Sequence, residues 1–381
     1  MVEVRVEVSG QGAFMPGEKL VASVTFTNEA AVAATVAWAG AQIHCQLVCR
    51  EDVVRTDSLV VPVSPAASTD TSFVPNRGER GSTILSTPTT VLVCNLSLQP
   101  GETKTVSYSE HVPEGGPPSF KGRLVKYMYK LAVGAQRPGC PAQISRIPFH
   151  VRTIPEHISR QCRATETRSE NPFLTPEVSE DSAHDLALQA LAMETSRRTS
   201  MNYTLKNPSG VIGRLSFFKP SFKVGEDVTG ALDLCLATTS CLQISAELQS
   251  LEEVPLELQM SPSPRRPVCA THARYTECCP NTLITHFSLP VPLSATQSFS
   301  TNCVSLKWQV HFQFVLSRNS AHKSSGSSAQ EEDSGSGAMA TTIETLNSLL
   351  VDTMTWDLPV TVLPTVSQHS DERTTARKIT I

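Results

Sequence analysis

The stretch GPPSFKGRLVKYMYKLAVG, from Gly116 to Gly134, decides the fold class. It begins with two prolines, a Ser-Phe pair and a glycine, and then alternates at every second residue. The alternating part sets Val125, Tyr127, Tyr129, Leu131 and Val133 against Lys126, Met128 and Lys130. Successive side chains of a strand point to opposite faces, so this pattern predicts a half-buried β-strand entered from a proline-rich turn.

The same alternation recurs along the first 155 residues. Val2 to Val8 alternates with charged residues, and a Pro-Gly-Glu turn at Pro16 leads into a strand over Lys19–Thr27. Proline and glycine separate these segments, which is typical of short strands joined by turns. Further strands are predicted at residues 36–48, 83–93, 103–108, 124–133 and 144–151. Together they indicate a β-sandwich.

The second half of the chain repeats the first. Ser221–Val228 echoes Ala13–Leu20, because in both an aromatic residue lies three positions before a Gly-Glu turn. A proline-rich turn and a Ser-Phe pair again precede a long alternating strand, which contains Trp308. Since large side chains occupy this strand too, we interpret Tyr127 as a core residue. Two copies of about 160 residues are too long for a solenoid repeat and predict two β-sandwiches.

The composition of the segments places the boundaries. We predict a first domain over residues 1–155, a linker over 156–202, a second domain over 203–366 with a disordered loop at about 317–345, and a flexible tail over 367–381. Within the linker, an amphipathic helix is predicted at about 182–198. Its apolar face includes Leu186 and Leu191, which either cover their own domain or contact a partner.

Composition and charge exclude several classes of protein. The chain has 381 residues and a formal net charge of −4, and its basic residues look scattered, so we expect no binding to nucleic acid. The N-terminal residues do not resemble a signal peptide, and no apolar run approaches the roughly 20 residues of a membrane-spanning helix. We therefore expect a cytosolic protein whose 11 cysteines are reduced thiols.

The sequence contains no recognisable catalytic motif. A phosphate-binding GxxxxGK[ST] loop, a GxSxG elbow and an HExxH helix are all missing, so we expect neither enzymatic activity nor a cofactor. His44 and Cys45 are neighbours on a strand and would point to opposite faces, which argues against a catalytic pair. Cys269, His272 and Cys278 leave two interpretations open, a zinc site or an ordinary strand or loop. We favour the second and predict no metal.

A charged turn at Arg77-Gly78-Glu79-Arg80-Gly81 precedes a predicted strand. Loops carry binding residues more often than strands do, so Arg77, Glu79 and Arg80 are candidates for contact with acidic groups of a partner. The alternative is a solvated loop in which Glu79 is paired locally.

Several segments together resemble the Rgp family of arrestin-like proteins. The resemblance covers residues 37–46, 76–88 and 107–110, the opening stretch, and the segments around Trp308 and Trp356. It implies an all-β, arrestin-like tandem of two β-sandwiches with one short linker helix. The residues that carry the motif are Pro117, Pro118, Ser119, Phe120, Gly122, Tyr127, Trp308 and Trp356.

The resemblance also implies a function. Rgp proteins pair with a β-propeller subunit, Ric, and the pair is a guanine-nucleotide exchange factor for a Golgi Rab GTPase of the Rab-six type. This implies a non-enzymatic subunit in the cytosol and at the peripheral Golgi membrane, active in retrograde transport. The alternative is an arrestin-like adaptor or cargo-sorting scaffold without exchange activity. Against the ubiquitin-ligase adaptor stands the lack of a Pro-Pro-x-Tyr motif, since Ser119 and Phe120 follow the two prolines.

Overall fold

A computed structural model describes residues 1–9, 13–55, 73, 80–155, 189–196, 200–260, 266–317, 351–365 and 375–381. These residues form two β-sandwiches in tandem, which confirms the predicted all-β fold class. Among them, no helix has the length and apolar character that crossing a bilayer requires.

The first sandwich consists of two packed sheets. Its strands are β1 (Val2–Ser9), β2 (Ala13–Phe14), β3 (Lys19–Asn28), β4 (Ala34–Cys49), β5 (Ser82–Ser86), β6 (Thr90–Leu98), β7 (Thr103–His111), β8 (Phe120–Lys121), β9 (Val125–Gln136) and β10 (Gln143–Val151). One sheet has the order β2-β10-β9-β4-β5, with β6 also on β4 and β8 also on β9. The other contains β1, β3 and β7, together with a strand from the C-terminus.

The second sandwich has the same plan. Its strands are β11 (Met201–Asn207), β12 (Gly210–Phe217), β13 (Ser221–Lys223), β14 (Asp227–Asp233), β15 (Cys241–Glu253), β16 (Val268–Cys278), β17 (Ile284–Pro290), β18 (Phe299–Ser300), β19 (Ser305–Ser317) and β20 (Val351–Leu363). One sheet runs β11-β12-β14-β17, and the other runs β13-β20-β19-β15-β16 with β18 on β19. A short 3₁₀ turn, Leu256–Leu258, follows β15.

The apolar residues that alternate along the predicted strands form the cores of the sandwiches. All four valines from Val2 to Val8 are buried, and the residues between them are not. In β9, Tyr127 and Tyr129 are 2% and 1% exposed, which confirms that they are core residues. Each buried side chain of this size contributes about 1.5–3 kcal/mol of hydrophobic free energy, so the alternation is the main determinant of the sandwich.

The Gly-Glu turn is built identically in the two halves. Gly17 donates its N–H to the carbonyl of Val112, and Glu18 caps the N–H of Met15 at 2.7 Å. In the second half, Gly225 donates to Val291, and Glu226 caps Lys223 at 2.9 Å. Both glycines have positive φ, a conformation that favours glycine. The repeat predicted from the sequence is therefore a repeat of hydrogen bonds as well as of residue types.

One predicted strand is divided in the structure. Residues 83–93 form two strands, β5 and β6, because the chain breaks at residues 87–89. Pro88 has no N–H to donate to a sheet, and Thr87 instead donates its N–H to Ile43. Both strands still pair with β4, one with each half of it.

The prediction of a flexible tail over residues 367–381 is wrong for its last part. Residues Thr375–Thr380 form β21, which pairs antiparallel with β1 and completes the sheet β21-β1-β3-β7. Ile379 and Ile381 pack against the first core, and the Lys378 ammonium lies 2.9 Å from the Glu3 carboxylate. Ile379 and Ile381 lie at alternate positions, so both side chains face the core.

The linker region forms a helix, α1 (residues 189–196), within the predicted range. Leu191 on α1 is 3% exposed and packs against Leu363 at the end of β20, with Ile154 beside it. The Lys219 ammonium donates to the carbonyl of Thr195 near the C-terminal end of α1. The helix therefore packs on its own protein. The rest of the predicted helix and the predicted loop from residue 318 onward lie outside the described residues.

Candidate functional site at the junction of the two sandwiches

The opening motif lies at the contact between the two sandwiches. Phe120 on β8 and Phe299 on β18 occupy equivalent positions of the repeat, since each pairs with the residue seven positions later. Their rings meet edge to face with centroids 5.1 Å apart. Tyr127 packs against the same Phe299 ring at 6.4 Å. A motif that the sequence marked as a feature of one strand is thus also the centre of the contact between the two halves.

Local hydrogen bonds explain why each half presents its phenylalanine in the same way. Ser119 donates its N–H to the Val151 carbonyl, and its hydroxyl accepts the Val151 N–H at 2.9 Å. Ser298 makes the same two contacts with Val362 in the second half. This serine, the residue directly before the phenylalanine, is thereby fixed to the last part of a strand of the sheet, which sets the direction of the ring.

In each half, an aromatic side chain of the long strand, β9 or β19, donates a hydrogen bond to the turn that precedes the phenylalanine. The Tyr129 hydroxyl donates to the Pro117 carbonyl at 2.9 Å, and the Trp308 indole N–H donates to the Thr296 carbonyl at 3.1 Å. Trp308 is 2% exposed. Trp356 packs on Tyr203 and Phe312 in the second core. Pro118 is buried and Pro117 half-buried, so all the motif residues have structural roles at the junction or in a core.

A buried carboxylate joins the halves. Glu252 at the end of β15 accepts three backbone N–H groups of the first sandwich, from Arg123 at 2.7 Å and from Leu124 and Val125 at 2.9 Å each. The Glu252 side chain is 5% exposed. A Cβ atom on Gly122 would lie 2.3 Å from one of its oxygens, so only glycine leaves room for this contact. Charge-assisted hydrogen bonds of this kind are about twice as strong as neutral ones.

The apolar core of the first sandwich continues into the second. Five buried residues of the second half belong to the first core: Val254, Leu258, Cys303, Val304 and Leu306. The Tyr127 hydroxyl and the Thr301 hydroxyl are 2.9 Å apart across this contact, and burial raises the pKa of Tyr127. Burial also raises the pKa of the Cys49 thiol to about 12, with a smaller effect of nearby Cys303. The junction is a mainly apolar core around one buried carboxylate that is hydrogen-bonded to backbone N–H groups.

Hydrogen bonds to backbone groups also connect the two sandwiches around the edge of the apolar contact. Arg55 donates its N–H to the Leu258 carbonyl at 2.7 Å, and Met260 donates to the Val53 carbonyl at 2.9 Å. Gln297 donates its amide to the Thr153 carbonyl at 2.6 Å. The two sandwiches are therefore connected by apolar packing, a carboxylate and backbone hydrogen bonds together, which makes them one body.

A groove of about 360 Å³ opens beside this junction. The residues that line it are Glu253, Val254, Pro255, Leu256, Gln259, Ser300, Thr301 and Ser305. Leu256 is 64% exposed there. The groove combines the exposed apolar side chain of Leu256 with hydroxyl, amide and carboxylate groups.

The charged turn is described only in part. Arg77 and Glu79 lie outside the described residues, as does Leu186 of the predicted helix. Arg80 is exposed, and its carbonyl accepts the Gln46 amide at 2.7 Å. Gly81 has a φ of +105°, and a Cβ atom there would lie 2.3 Å from the Leu47 carbonyl. The end of the turn is thus fixed against β4 with the Arg80 side chain in solvent, whereas Leu191 is covered by its own protein.

The thiol and imidazole groups of β16 do not converge. Cys269 and Cys278 are exposed, and the His272 ring stacks on Trp308 at 4.5 Å with a nitrogen 2.8 Å from the Ser250 hydroxyl. Among the described residues, no three Cys, His, Asp or Glu side chains are placed to hold one metal ion. Cys45 lies in the first core, where burial raises its pKa to about 12, so it is a poor nucleophile.

Glu252 was missed by reasoning from the sequence, although a signal was present. In β15 the buried face carries Ile244, Ala246, Leu248, Ser250 and Glu252 in alternation. A carboxylate on the buried face of a strand needs a partner, because an isolated buried charge is very costly. Its position at the end of an inward row points to a contact beyond its own sandwich.

Known proteins resemble this chain over most of its length. A family model described as Rgp1 matches residues 64–165 and 152–317. The chain is 41% identical over 386 residues to a Homo sapiens protein named RAB6A-GEF complex partner protein 2, covering 96% of this chain and 95% of that one. A Bos taurus protein of the same name is 40% identical over 381 residues, covering 94% and 93%.

Proposed function

Because this chain belongs to the Rgp1 family, we propose that it is the non-enzymatic subunit of a heterodimeric guanine-nucleotide exchange factor. The GTPase is a Golgi Rab of the Rab-six type, and the exchange factor promotes release of GDP and loading of GTP in retrograde transport to and within the Golgi. The other subunit is the β-propeller protein Ric. The observation that carries the proposal is the 41% identity, over 96% of this chain, to a relative named RAB6A-GEF complex partner protein 2.

The physical requirements of exchange fit such a protein. An exchange factor accelerates nucleotide release by binding the nucleotide-free GTPase more tightly than the GDP-bound form, and this needs no nucleophile or general base. It does need surfaces held at a fixed distance and angle. The continuous core and the Glu252 contacts supply this by joining the sandwiches into one body.

We place the contact with the Ric subunit at the charged turn that contains Arg77, Glu79 and Arg80. The Arg80 side chain is exposed while its carbonyl accepts the Gln46 amide on β4, so Arg80 presents its positive charge at a defined position. An Arg77→Ala, Arg80→Ala double variant is expected to reduce co-purification of the Ric subunit at least fivefold, since exposed arginines pair well with carboxylates of a partner. Undiminished co-purification would place the contact elsewhere.

The proposal is tested by nucleotide release. The chain is co-expressed with its Ric subunit, and loss of fluorescent GDP from a panel of Rab GTPases is followed. We expect the pair to accelerate release from a Rab of the Rab-six type and either subunit alone to be far less active. If the pair accelerates release from none of the GTPases, the function is wrong.

The role of the junction in exchange can be separated from assembly. Glu252→Ala removes the buried carboxylate, and Glu253→Ala removes the neighbouring exposed one. We expect Glu252→Ala to retain binding to the Ric subunit but to lower the exchange rate of the pair, because the sandwiches are no longer held rigidly. Glu253→Ala is the matched control and should keep the wild-type rate.

The cellular location of the exchange factor follows from the location of its GTPase. We propose that the pair is recruited from the cytosol to the Golgi membrane, where the Rab GTPase resides. Fluorescent tagging at endogenous level, with and without the Ric subunit, tests this. Diffuse fluorescence that never overlaps a Golgi marker would contradict it.

A further inference from the structure

Two loops at one end of the second sandwich carry exposed aliphatic side chains. The loop between β14 and β15, residues 234–240, presents Leu236, which is 82% exposed. The loop between β16 and β17, residues 279–283, ends in Leu283, which is 64% exposed and is followed by Ile284 at 55%. Single exposed aliphatic residues are ordinary on a protein surface, but neighbouring ones indicate a contact surface. We term the three side chains the aliphatic tip.

Backbone pairing joins the two loops that carry the aliphatic tip. Leu234 donates its N–H to the Leu283 carbonyl at 2.7 Å, and Asp233 lies directly opposite Ile284 in the pairing of β14 with β17. Leu236 is only two residues beyond this hydrogen bond. The tip is therefore one surface built from two loops.

The aliphatic tip lies at the end of the second sandwich that is remote from the junction. The first loop leads into Cys241, where β15 begins, and Glu252 lies near the other end of the same strand. Eleven steps along a strand span roughly 36 Å. The tip is therefore free of the contacts that join the two sandwiches.

The loops of the aliphatic tip contain no charged residue. They read LCLATTS over 234–240 and CPNTL over 279–283. At the base of the first loop, Asp233 lies opposite Arg214 on β12, so the charges there have opposite signs. A ligand that is recognised by its charge has no counterpart in these loops, and apolar contact is what they offer.

Backbone groups of both loops are hydrogen-bonded within the protein. Cys279 and Thr282 of the second loop donate their N–H groups, and Pro280 has none to donate. In the first loop the Thr238 hydroxyl accepts the Val211 N–H at 2.8 Å. Five N–H groups of the first loop have protein acceptors, those of Leu234, Cys235, Ala237, Thr238 and Thr239. Internal pairing of this kind is what a segment needs when it leaves water for an apolar phase.

We propose that the aliphatic tip inserts into the interfacial layer of a lipid bilayer and gives the protein a direct contact with membranes that does not depend on charge. Protein interfaces centre on aromatic and arginine anchors, and leucine is under-represented among their strongest contacts. The tip has neither kind of anchor. Leucine and isoleucine are among the residues most favourably transferred into a bilayer, and charged residues are the least favourable. Three such side chains give weak, reversible binding.

The inference goes beyond the proposed function and does not rest on it. Insertion of the aliphatic tip would orient the second sandwich on a lipid surface, whatever the protein does there. Its test uses no GTPase and no nucleotide, so the two can fail separately.

The test measures co-sedimentation of the purified full chain with vesicles of phosphatidylcholine alone. We expect binding that persists at about 0.5 M salt, where charges are screened within a few ångströms. Leu236→Ser with Leu283→Ser should weaken vesicle binding roughly tenfold or more, because it removes apolar area from the contact. Binding that requires anionic lipid and is lost in salt would overturn the proposal.

The control removes two aliphatic side chains from other surfaces. Val32 and Leu293 are 70% and 74% exposed, the first in the β3–β4 loop and the second beyond the other end of β17. Val32→Ser with Leu293→Ser should leave vesicle binding within about twofold of wild type. The thermal midpoints of both double variants establish that they are folded. Equal loss of binding in the two would overturn the proposal.

A third variant reports insertion directly. Leu236→Trp keeps an apolar side chain at the tip, so it should still bind, and brominated phosphatidylcholine should quench its added fluorescence. Val32→Trp should show no added quenching. Unquenched fluorescence of bound Leu236→Trp would overturn the proposal. So would self-association that Leu236→Ser with Leu283→Ser abolishes while wild type ignores vesicles, because the tip would then join two copies of the chain.

Discussion

Glu252 is a single residue on which the relative position of the two sandwiches depends. Replacing it with alanine leaves three backbone N–H groups of residues 123–125 without their acceptor in a buried place. We expect Glu252→Ala to lower the free energy of unfolding by about 3 kcal/mol, measured by urea denaturation. Glu252→Gln should also destabilise, because its amide group turns a donor toward other donors.

The adjacent residue provides the control for this prediction. Glu253 is exposed, and its carboxylate lies 2.6 Å from the Lys307 ammonium. Exposed ion pairs contribute little, so Glu253→Ala should change stability by no more than about 0.5 kcal/mol. Similar losses of unfolding free energy for the two alanine variants would mean that the buried hydrogen bonds of Glu252 stabilise the protein no more than the exposed ion pair of Glu253 does.

The sequence predicted the identity of the motif residues better than their roles. Local alternation places Phe120 and Tyr127 on the buried side of a strand, because that depends only on neighbours in the chain. Contact between Phe120 and Phe299 depends on how two distant segments meet, which no local pattern contains.

At the scale of elements, β21 protects an edge of the first sandwich. Without it, β1 would present unpaired backbone groups along its length, and exposed strand edges promote association between chains. We expect removal of residues 375–381 to lower the melting temperature and to produce oligomers, detected by gel filtration with light scattering.

A variant that keeps β21 but alters its surface controls for charge. Arg377→Gln with Lys378→Gln removes two exposed cations and the ion pair with Glu3, while Ile379 remains against the core. It should behave as wild type. If the shortened chain also keeps its oligomeric state and melting temperature, β21 does not protect the edge.

Strands were predictable from the sequence, and their partners were not. Alternating residues identify β1, β3, β9 and β19, since each has one buried face. Residues 83–93 were predicted as one strand because the apolar pattern is continuous, whereas Pro88 within it separates β5 from β6. The tail was predicted as flexible because β21 is short and polar, and its partner β1 is at the other end of the chain.

At the scale of the whole molecule, the shared core predicts that the two sandwiches unfold together. Calorimetry of the full chain should show one transition, because Val304 and Leu306 cannot leave the first core without disturbing the second sandwich. We expect the double variant Phe299→Ala, Glu252→Ala to separate it into two. Each large-to-small change in such a core costs about 3 kcal/mol or more.

A substitution away from the junction distinguishes a loss of coupling between the two sandwiches from a general loss of stability. Leu232 is buried in the second core and is not among the junction residues. Leu232→Ala should lower the transition temperature but keep a single transition. Two transitions in the wild-type protein would show that the sandwiches are independent.

The shared core also has a consequence for synthesis on the ribosome. About 150 residues separate Val151, at the end of β10, from Leu306, the last buried residue of the first core along the chain. At roughly 5–20 residues per second, that interval lasts on the order of ten to thirty seconds. During this time the nascent first sandwich exposes the apolar surface that Val254, Val304 and Leu306 later cover. The order of translation therefore leaves this surface uncovered until most of the second half has emerged.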